Sequence, residues 1–199
     1  MKKIIILFWL ASTVAIMSIM ATELDDFSAM IRSMKIVKMG FTQQILSFDG
    51  IQTSSAKGIL WYKPEKYFRI EYTAPDKEII VTNDNGYKIY NFDDDEESGG
   101  KLEDIVFISP FTMLGELNKY FTVKTIASRI YRLESKSDAT GDIGTINCEF
   151  KTAKKYPTVM SVHLKTGNIV KYTFSSLAEG EDQPGLFSFS SMRKTFGSN

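Results

Sequence analysis

Gly58-Ile59-Leu60-Trp61-Tyr62-Lys63-Pro64-Glu65-Lys66-Tyr67-Phe68-Arg69-Ile70-Glu71-Tyr72-Thr73-Ala74-Pro75-Asp76 reads as two strands joined by a turn at Pro64-Glu65-Lys66. In the second strand Phe68, Ile70 and Tyr72 alternate with Arg69, Glu71 and Thr73. Successive side chains on a strand point to opposite faces, so this period of two gives one apolar face and one polar face. The first strand, Gly58–Lys63, is apolar at nearly every position and does not declare which of its faces is inside.

Similar short strands extend on either side. Phe41–Phe48 ends at Asp49-Gly50, a hairpin signal. Glu78–Thr82 meets the turn Asn83-Asp84-Asn85-Gly86, and Tyr87–Phe92 follows. Asp93–Gly100 reads as an acidic, glycine-ended loop. Tyr120–Thr125, Ser128–Ser135, Thr145–Thr152, Thr158–Lys165, Asn168–Ser175 and a short Leu186–Ser190 complete the set. About ten strands at near-regular spacing indicate an antiparallel sheet of the barrel or sandwich type.

Two segments break the pattern. Glu23 to about Met39 reads as a helix capped by Asp25 or Asp26, with Phe27, Met30, Ile31, Met34 and Val37 on one stripe. Ser109-Pro110-Phe111-Thr112-Met113-Leu114-Gly115-Glu116-Leu117 suits a short amphipathic helix, with Ser109 as cap, Pro110 at the first helical position and Phe111, Leu114 and Leu117 on one face. Two apolar helices beside a sheet suggest a curved sheet whose concave face they cover. The chain's 199 residues, 43% of them apolar, suit a single core with no internal repeat.

Residues 1–21 stand apart. Met1-Lys2-Lys3 is a positive n-region, Ile4–Met20 is almost uninterrupted apolar sequence, and Ala21 precedes the polar Thr22-Glu23-Leu24-Asp25-Asp26. This is the pattern of a secretory signal peptide; the alternative, an uncleaved anchor, would be slightly short for a span. The expectation is therefore a signal peptide over 1–21 and one domain over 22–199, exported through Sec to the periplasm and soluble after cleavage. Cleavage removes two of 24 basic residues and none of 24 acidic ones, a balance of −2 that does not suggest a nucleic-acid partner.

The chemistry-bearing residues are sparse. His163 is the single histidine, between Val162 and Leu164 in a strand and expected to face outward, and no nucleophile turn accompanies it. Cys148 is the single cysteine, unable to form an internal disulfide, far from the lipidation position and expected as a buried small hydrophobe. Gly99-Gly100-Lys101 lacks the rest of a phosphate loop, and the Asp93–Glu97 run lacks calcium-loop spacing. The reading is of a non-enzyme with no cofactor. Fourteen Phe, nine Tyr and nine Met leave a large, adaptable apolar interior.

The opening stretch also resembles the hallmark segment of the periplasmic outer-membrane lipoprotein carriers, the LolA family, in its Gly58, Leu60, Trp61, Lys63 and Phe68, followed by Pro75-Asp76 and Ile79-Ile80-Val81. Phe41-Thr42-Gln43 resembles the family's first strand, Pro110-Phe111 with Met113 and Leu114 its lid helix, and Thr166-Gly167-Asn168-Ile169 its late hairpin. The resemblance implies a mainly β, unclosed antiparallel half-barrel, its concave face covered by an N-terminal helix and a lid helix. It implies a cavity carrying lipoprotein acyl chains across the periplasm, loaded by an inner-membrane ATP-driven exporter of the ABC type and unloaded at an outer-membrane acceptor. Trp61, Phe68, Ile70, Tyr72 and Ile80 would line that cavity, and Phe111 and Leu114 would close it. Where relatives carry Lys-Arg-Pro, whose arginine latches the lid backbone, this chain has Lys63 directly followed by Pro64, and Arg69 lies on the wrong face to substitute. The chain also ends at Asn199 with little sequence left for the family's final segment, so the resemblance leaves the handover to an acceptor open. A carrier or sensor of another amphiphile such as a glycolipid, and a solid structural β-domain, remain alternatives.

Overall fold

The computed structural model describes residues 22–64, 67–102, 113–136 and 140–195. The expected signal segment, the Glu65-Lys66 part of the turn, and Ser109-Pro110-Phe111-Thr112 of the expected lid helix lie outside the described residues.

Helix α1 spans Glu23–Ser33. Thr22, rather than Asp25 or Asp26, is its N-cap: the Asp25 amide donates to Thr22 Oγ1 at 3.2 Å, while the Thr22 amide donates to Asp25 Oδ2 at 2.9 Å. This reciprocal pair is a capping box with Asp in the third position. The helix stops one and a half turns before the expected Met39. Met34 is already extended, and strand β1 runs Val37–Leu46. Val37, Met39, Phe41 and Gln43 alternate as its buried positions, a period of two that the helical stripe of Phe27, Met30 and Ile31 had absorbed.

Ten more strands follow: β2 Gln52–Lys63, β3 Tyr67–Ala74, β4 Glu78–Asn83, β5 Gly86–Asn91, β6 Glu96–Gly100, β7 Phe121–Ala127, β8 Ile130–Ser135, β9 Ile143–Phe150, β10 Pro157–Leu164 and β11 Ile169–Glu179. They form one antiparallel sheet in the order β6-β5-β4-β3-β2-β1-β11-β10-β9-β8-β7. The ends, β6 and β7, are not paired with each other, so the sheet is not closed into a barrel. The expected open half-barrel is the observed architecture. Part of the expected acidic loop is edge strand β6, every residue of which is exposed. The last expected strand does not form; a 3-10 helix, Phe189–Lys194, occupies that region.

Between β6 and β7 a 3-10 turn, Leu114–Glu116, runs into a single helical turn α2, Leu117–Tyr120. One hydrophobic cluster joins Leu24, Phe27 and Ile31 of α1 and Met113 and Leu117 of this segment to one face of the sheet, from Phe68, Ile70 and Ile80 across to Leu133, Ile146 and Met160. A second, smaller cluster joins Ile79, Val81 and Tyr90 on the other face to Met192, Phe187 and Phe189. The sheet therefore has a helix-covered inner face, and an outer face partly strapped by residues 180–195.

Candidate binding face

The inner floor is built by register. Antiparallel partners share a face, and the pairs Met39–Leu60, Leu60–Ile70, Ile70–Ile80 and Ile80–Ile89 set one apolar row across β1 to β5. Phe68 lies beside it, opposite Tyr62, with its amide bonded to the buried Thr82 hydroxyl at 2.9 Å. Phe68, Ile70 and Ile80 are all buried, and Tyr72 is half-buried.

Four of the five expected lining residues thus come together on one face. Trp61 does not. It pairs with Arg69 and with Lys38, which places it on the outer face, and the Lys38 ammonium lies 5.3 Å from its ring centroid. Because Ile59–Tyr62 of β2 is apolar at every position, only pairing reveals which side Trp61 takes. Leu114 falls on the 3-10 turn, and Phe111 lies outside the described residues.

Aromatic rings continue the floor past this row. Phe41 packs edge-on against Tyr72 at 5.8 Å and Tyr172 at 5.9 Å between centroids, and Tyr172 stacks on Phe174 at 6.3 Å. Gly58 makes this possible. A Cβ there would stand 2.9 Å from Phe41 Cζ and 2.5 Å from the Glu71 carbonyl oxygen. The Tyr72 hydroxyl donates to Gln43 Oε1 at 3.0 Å, giving the floor one polar margin. Burial first, and the Glu78 carboxylate second, push the Tyr72 phenol up to about 12. Burial likewise raises the Glu78 carboxyl, with Asp76 adding to it.

The cover is held by polar bonds. From α1, Arg32 Nη1 donates to the Gly115 carbonyl at 2.6 Å and Ser28 Oγ donates to the same oxygen at 3.3 Å. Phe27 meets Phe150 edge-on at 6.2 Å, and Phe150 meets Tyr131 at 5.7 Å. Cys148 is fully buried in this floor, and burial pushes its thiol up to about 12, far from a reactive thiolate. His163 is half-buried, its Nε2 3.2 Å from Asn147 Nδ2; burial first and Arg132 second lower its pKa.

An open, apolar-floored half-barrel with helical cover is the geometry to compare with known proteins. Residues 32–190 match the model of the family described as outer membrane lipoprotein carrier protein LolA. The chain belongs to the LolA family. It is 25% identical over 183 residues to an outer-membrane lipoprotein carrier protein of Francisella philomiragia, covering 89% of this chain and 87% of that one. It is 28% identical over 113 residues to the carrier of Shewanella amazonensis, covering 57% and 54%. Among solved structures, a LolA superfamily protein from Nitrosomonas europaea shares the fold with a TM-score of 0.54 at 8% identity, covering 85% and 97%.

Within this LolA-family chain the cover contact comes from an arginine that sequence reading did not single out. Arg32 sits on α1, where a basic residue near a helix C-terminus looks like ordinary dipole compensation; only folding brings it to Gly115. Arg69 faces away from the cover, as alternation requires, and is committed elsewhere. Its Nε bonds Glu71 at 2.6 Å, its Nη1 bonds the Leu186 carbonyl at 3.1 Å and Ser191 Oγ at 2.9 Å, and its Nη2 bonds Thr195 Oγ1. It pins the C-terminal strap to the outer face. A cleft of about 710 Å³ lies there, bordered by Lys38, Trp61, Arg69 and the strap; it is separate from the inner floor. No helix among the described residues is long and apolar enough to cross a membrane.

Proposed function

We propose that this protein is a non-enzymatic periplasmic carrier that binds lipoprotein acyl chains against the inner floor and moves them from the inner to the outer membrane. Residues 1–21 act as its signal peptide and 22–199 as the carrier domain. An inner-membrane ABC-type exporter loads it, and release follows at an outer-membrane acceptor. The observation that carries this reading is the continuous apolar floor Met39–Leu60–Ile70–Ile80–Ile89, in a family member whose cover includes short segments joined through the Gly115 carbonyl.

Each methylene taken out of water is worth about 0.8 kcal/mol, so one long acyl chain is worth on the order of 10 kcal/mol before costs. That suffices to hold a lipoprotein in water. α1 already packs Leu24, Phe27 and Ile31 into the same cluster. Cargo therefore displaces α1 side chains or shifts the cover, and the energy of that displacement offsets part of the gain and permits release. Phe68, Ile70, Tyr72 and Ile80 make the acyl contacts, with Phe111 and Leu114 on the lid.

The chain purified from the envelope should carry lipoprotein or lipid identifiable by mass spectrometry. Phe68→Glu should abolish lipoprotein transfer while circular dichroism still reports a folded sheet, because an unpaired carboxylate would occupy the floor. Transfer unchanged in the folded variant would overturn the assignment of this face. A copurifying glycolipid with no lipoprotein would move the reading to a carrier of that amphiphile.

A further inference from the structure

The hairpin joining β1 and β2 projects past its neighbour. β2 pairs with β1 from Gln52 onward, but its pairing with β3 begins only at Lys57. Residues 52–55 are exposed on both faces. At the tip, Phe48 is 82% exposed and Ile51 64% exposed, the two most exposed large hydrophobic residues among those described. The turn that presents them is tied. The Gly50 amide donates to the Ser47 carbonyl at 2.8 Å, the Ser47 amide to the Ile51 carbonyl at 2.9 Å, and the Ser47 hydroxyl to the Asp49 carboxylate. Gly50 takes φ +82, a conformation side chains rarely adopt. Two apolar side chains held outward by an ordered turn lose hydrophobic stabilisation in water unless something covers them.

We infer that the Phe48/Ile51 tip of this hairpin is a shallow docking prong for a phospholipid membrane surface. Area argues against a second protein copy. A specific protein interface buries about 800 Å² per partner, and a tip of two side chains falls far short of that. Charge argues for lipid. Residues 43–56 hold one ionisable group, Asp49, in a chain that is 24% charged, and the remainder is Gln, Ser, Thr and apolar side chains. Apart from the Asp49 carboxylate, which accepts from the Ser47 hydroxyl and the Ile51 amide, such a surface brings no charge into a headgroup layer. Beside it, Lys171 on β11 stands opposite Gln44, and Lys165 lies two residues before Gly167, where an added Cβ would come within 3.3 Å of the Phe48 Cβ. The acidic groups nearby are Asp49 and Asp142, whose carbonyl accepts the Lys165 amide. An interfacial anchor of this kind is weak and reversible, as a protein that must leave a membrane requires.

The test needs no cargo, so its outcome is independent of what the inner floor carries. The chain from Thr22, which contains every described element, is sedimented with vesicles of phosphatidylethanolamine and phosphatidylglycerol and with vesicles of phosphatidylcholine. Binding to both is expected, stronger to the anionic set, with Phe48→Ser/Ile51→Ser lowering the partition coefficient at least tenfold at unchanged melting temperature. Phe48→Trp should be quenched by brominated lipid, whereas the parent's Trp61, on the outer face, should not. Vesicle binding that survives the double substitution, or that depends only on salt, would overturn the proposal. So would absence of vesicle binding in the parent, or a tip-dependent dimer in sedimentation velocity without vesicle binding.

Discussion

Gly58 shows how one missing methyl organises the floor. The Phe41 ring lies over it to reach Tyr72, and the Glu71 carbonyl approaches from β3. Gly58→Ala should cost about 1–3 kcal/mol, the usual penalty for overpacking, read as a lower midpoint in urea unfolding. Glu78 gives a pH signature. Its folded pKa is raised above the usual 4.5 by burial, so the folded state holds the proton more tightly than the unfolded one. Stability from this group is complete below about 4.5 and is lost as pH rises through the raised folded value. Glu23 and Glu97, held low chiefly by Tyr131 and Lys88 respectively, act with the opposite sign at lower pH. The difference between parent and Glu78→Gln isolates the effect. The variant should gain in melting temperature relative to the parent between pH 5 and 7 and not at pH 4. At this scale the sequence was legible wherever alternation was strict: Phe68, Ile70, Tyr72 and Arg69 took the faces their spacing required. Trp61 was not, because Ile59, Leu60, Trp61 and Tyr62 offer two apolar faces and only pairing with Arg69 selects one.

Among the elements, the cover and the strap are each fastened by an arginine. Arg32→Ala removes a charge-assisted bond to a carbonyl, of a kind worth about 1.5–3 kcal/mol. It should loosen the Gly115 segment from α1, raising hydrophobic-dye binding and amide exchange at residues 115–117 while the rest of the sheet is unaffected. Arg69 and Glu71 form a pair whose side chains are only 4% and 12% exposed. Breaking such a pair from one side costs about 3–5 kcal/mol, so Arg69→Met should lower stability by that order and expose residues 186–195 to proteolysis, whereas Arg69→Met/Glu71→Leu should recover much of the loss. The segment Ile36–Met39 reads two ways because a helical stripe ending at Val37 meets an alternating strand that begins there. Val37 fits both periods, and what settles it is ten residues of pairing with β2 and β11. The strap was misread for a similar reason: Leu186, Phe187 and Phe189 have strand-like composition, but the backbone there turns to serve the outer face through Leu186 and Phe187 carbonyls bonded to Arg69 and Asn83.

For the molecule, the sheet has two free edges and a centre. Strands β1, β2 and β11 pair on both sides, while β6 is exposed throughout and ends in Gly99-Gly100. Amide exchange should accordingly be slowest in the centre of β1 and fastest in β6, and uniform protection across the sheet would contradict this arrangement. The sequence by itself determined the class of architecture, the alternating faces of its clearest strands and the absence of a recognisable catalytic motif, because these depend on local period and residue type. It also carried the family resemblance, because that is a matter of order and spacing along the chain. Tertiary structure alone decided where α1 gives way to strand, which face Trp61 joins, that Arg32 reaches Gly115 and that Arg69 binds the strap. Each of those depends on which chain segment, 83 to 126 residues distant in the case of the arginines, folds against it, and no local pattern encodes that partner.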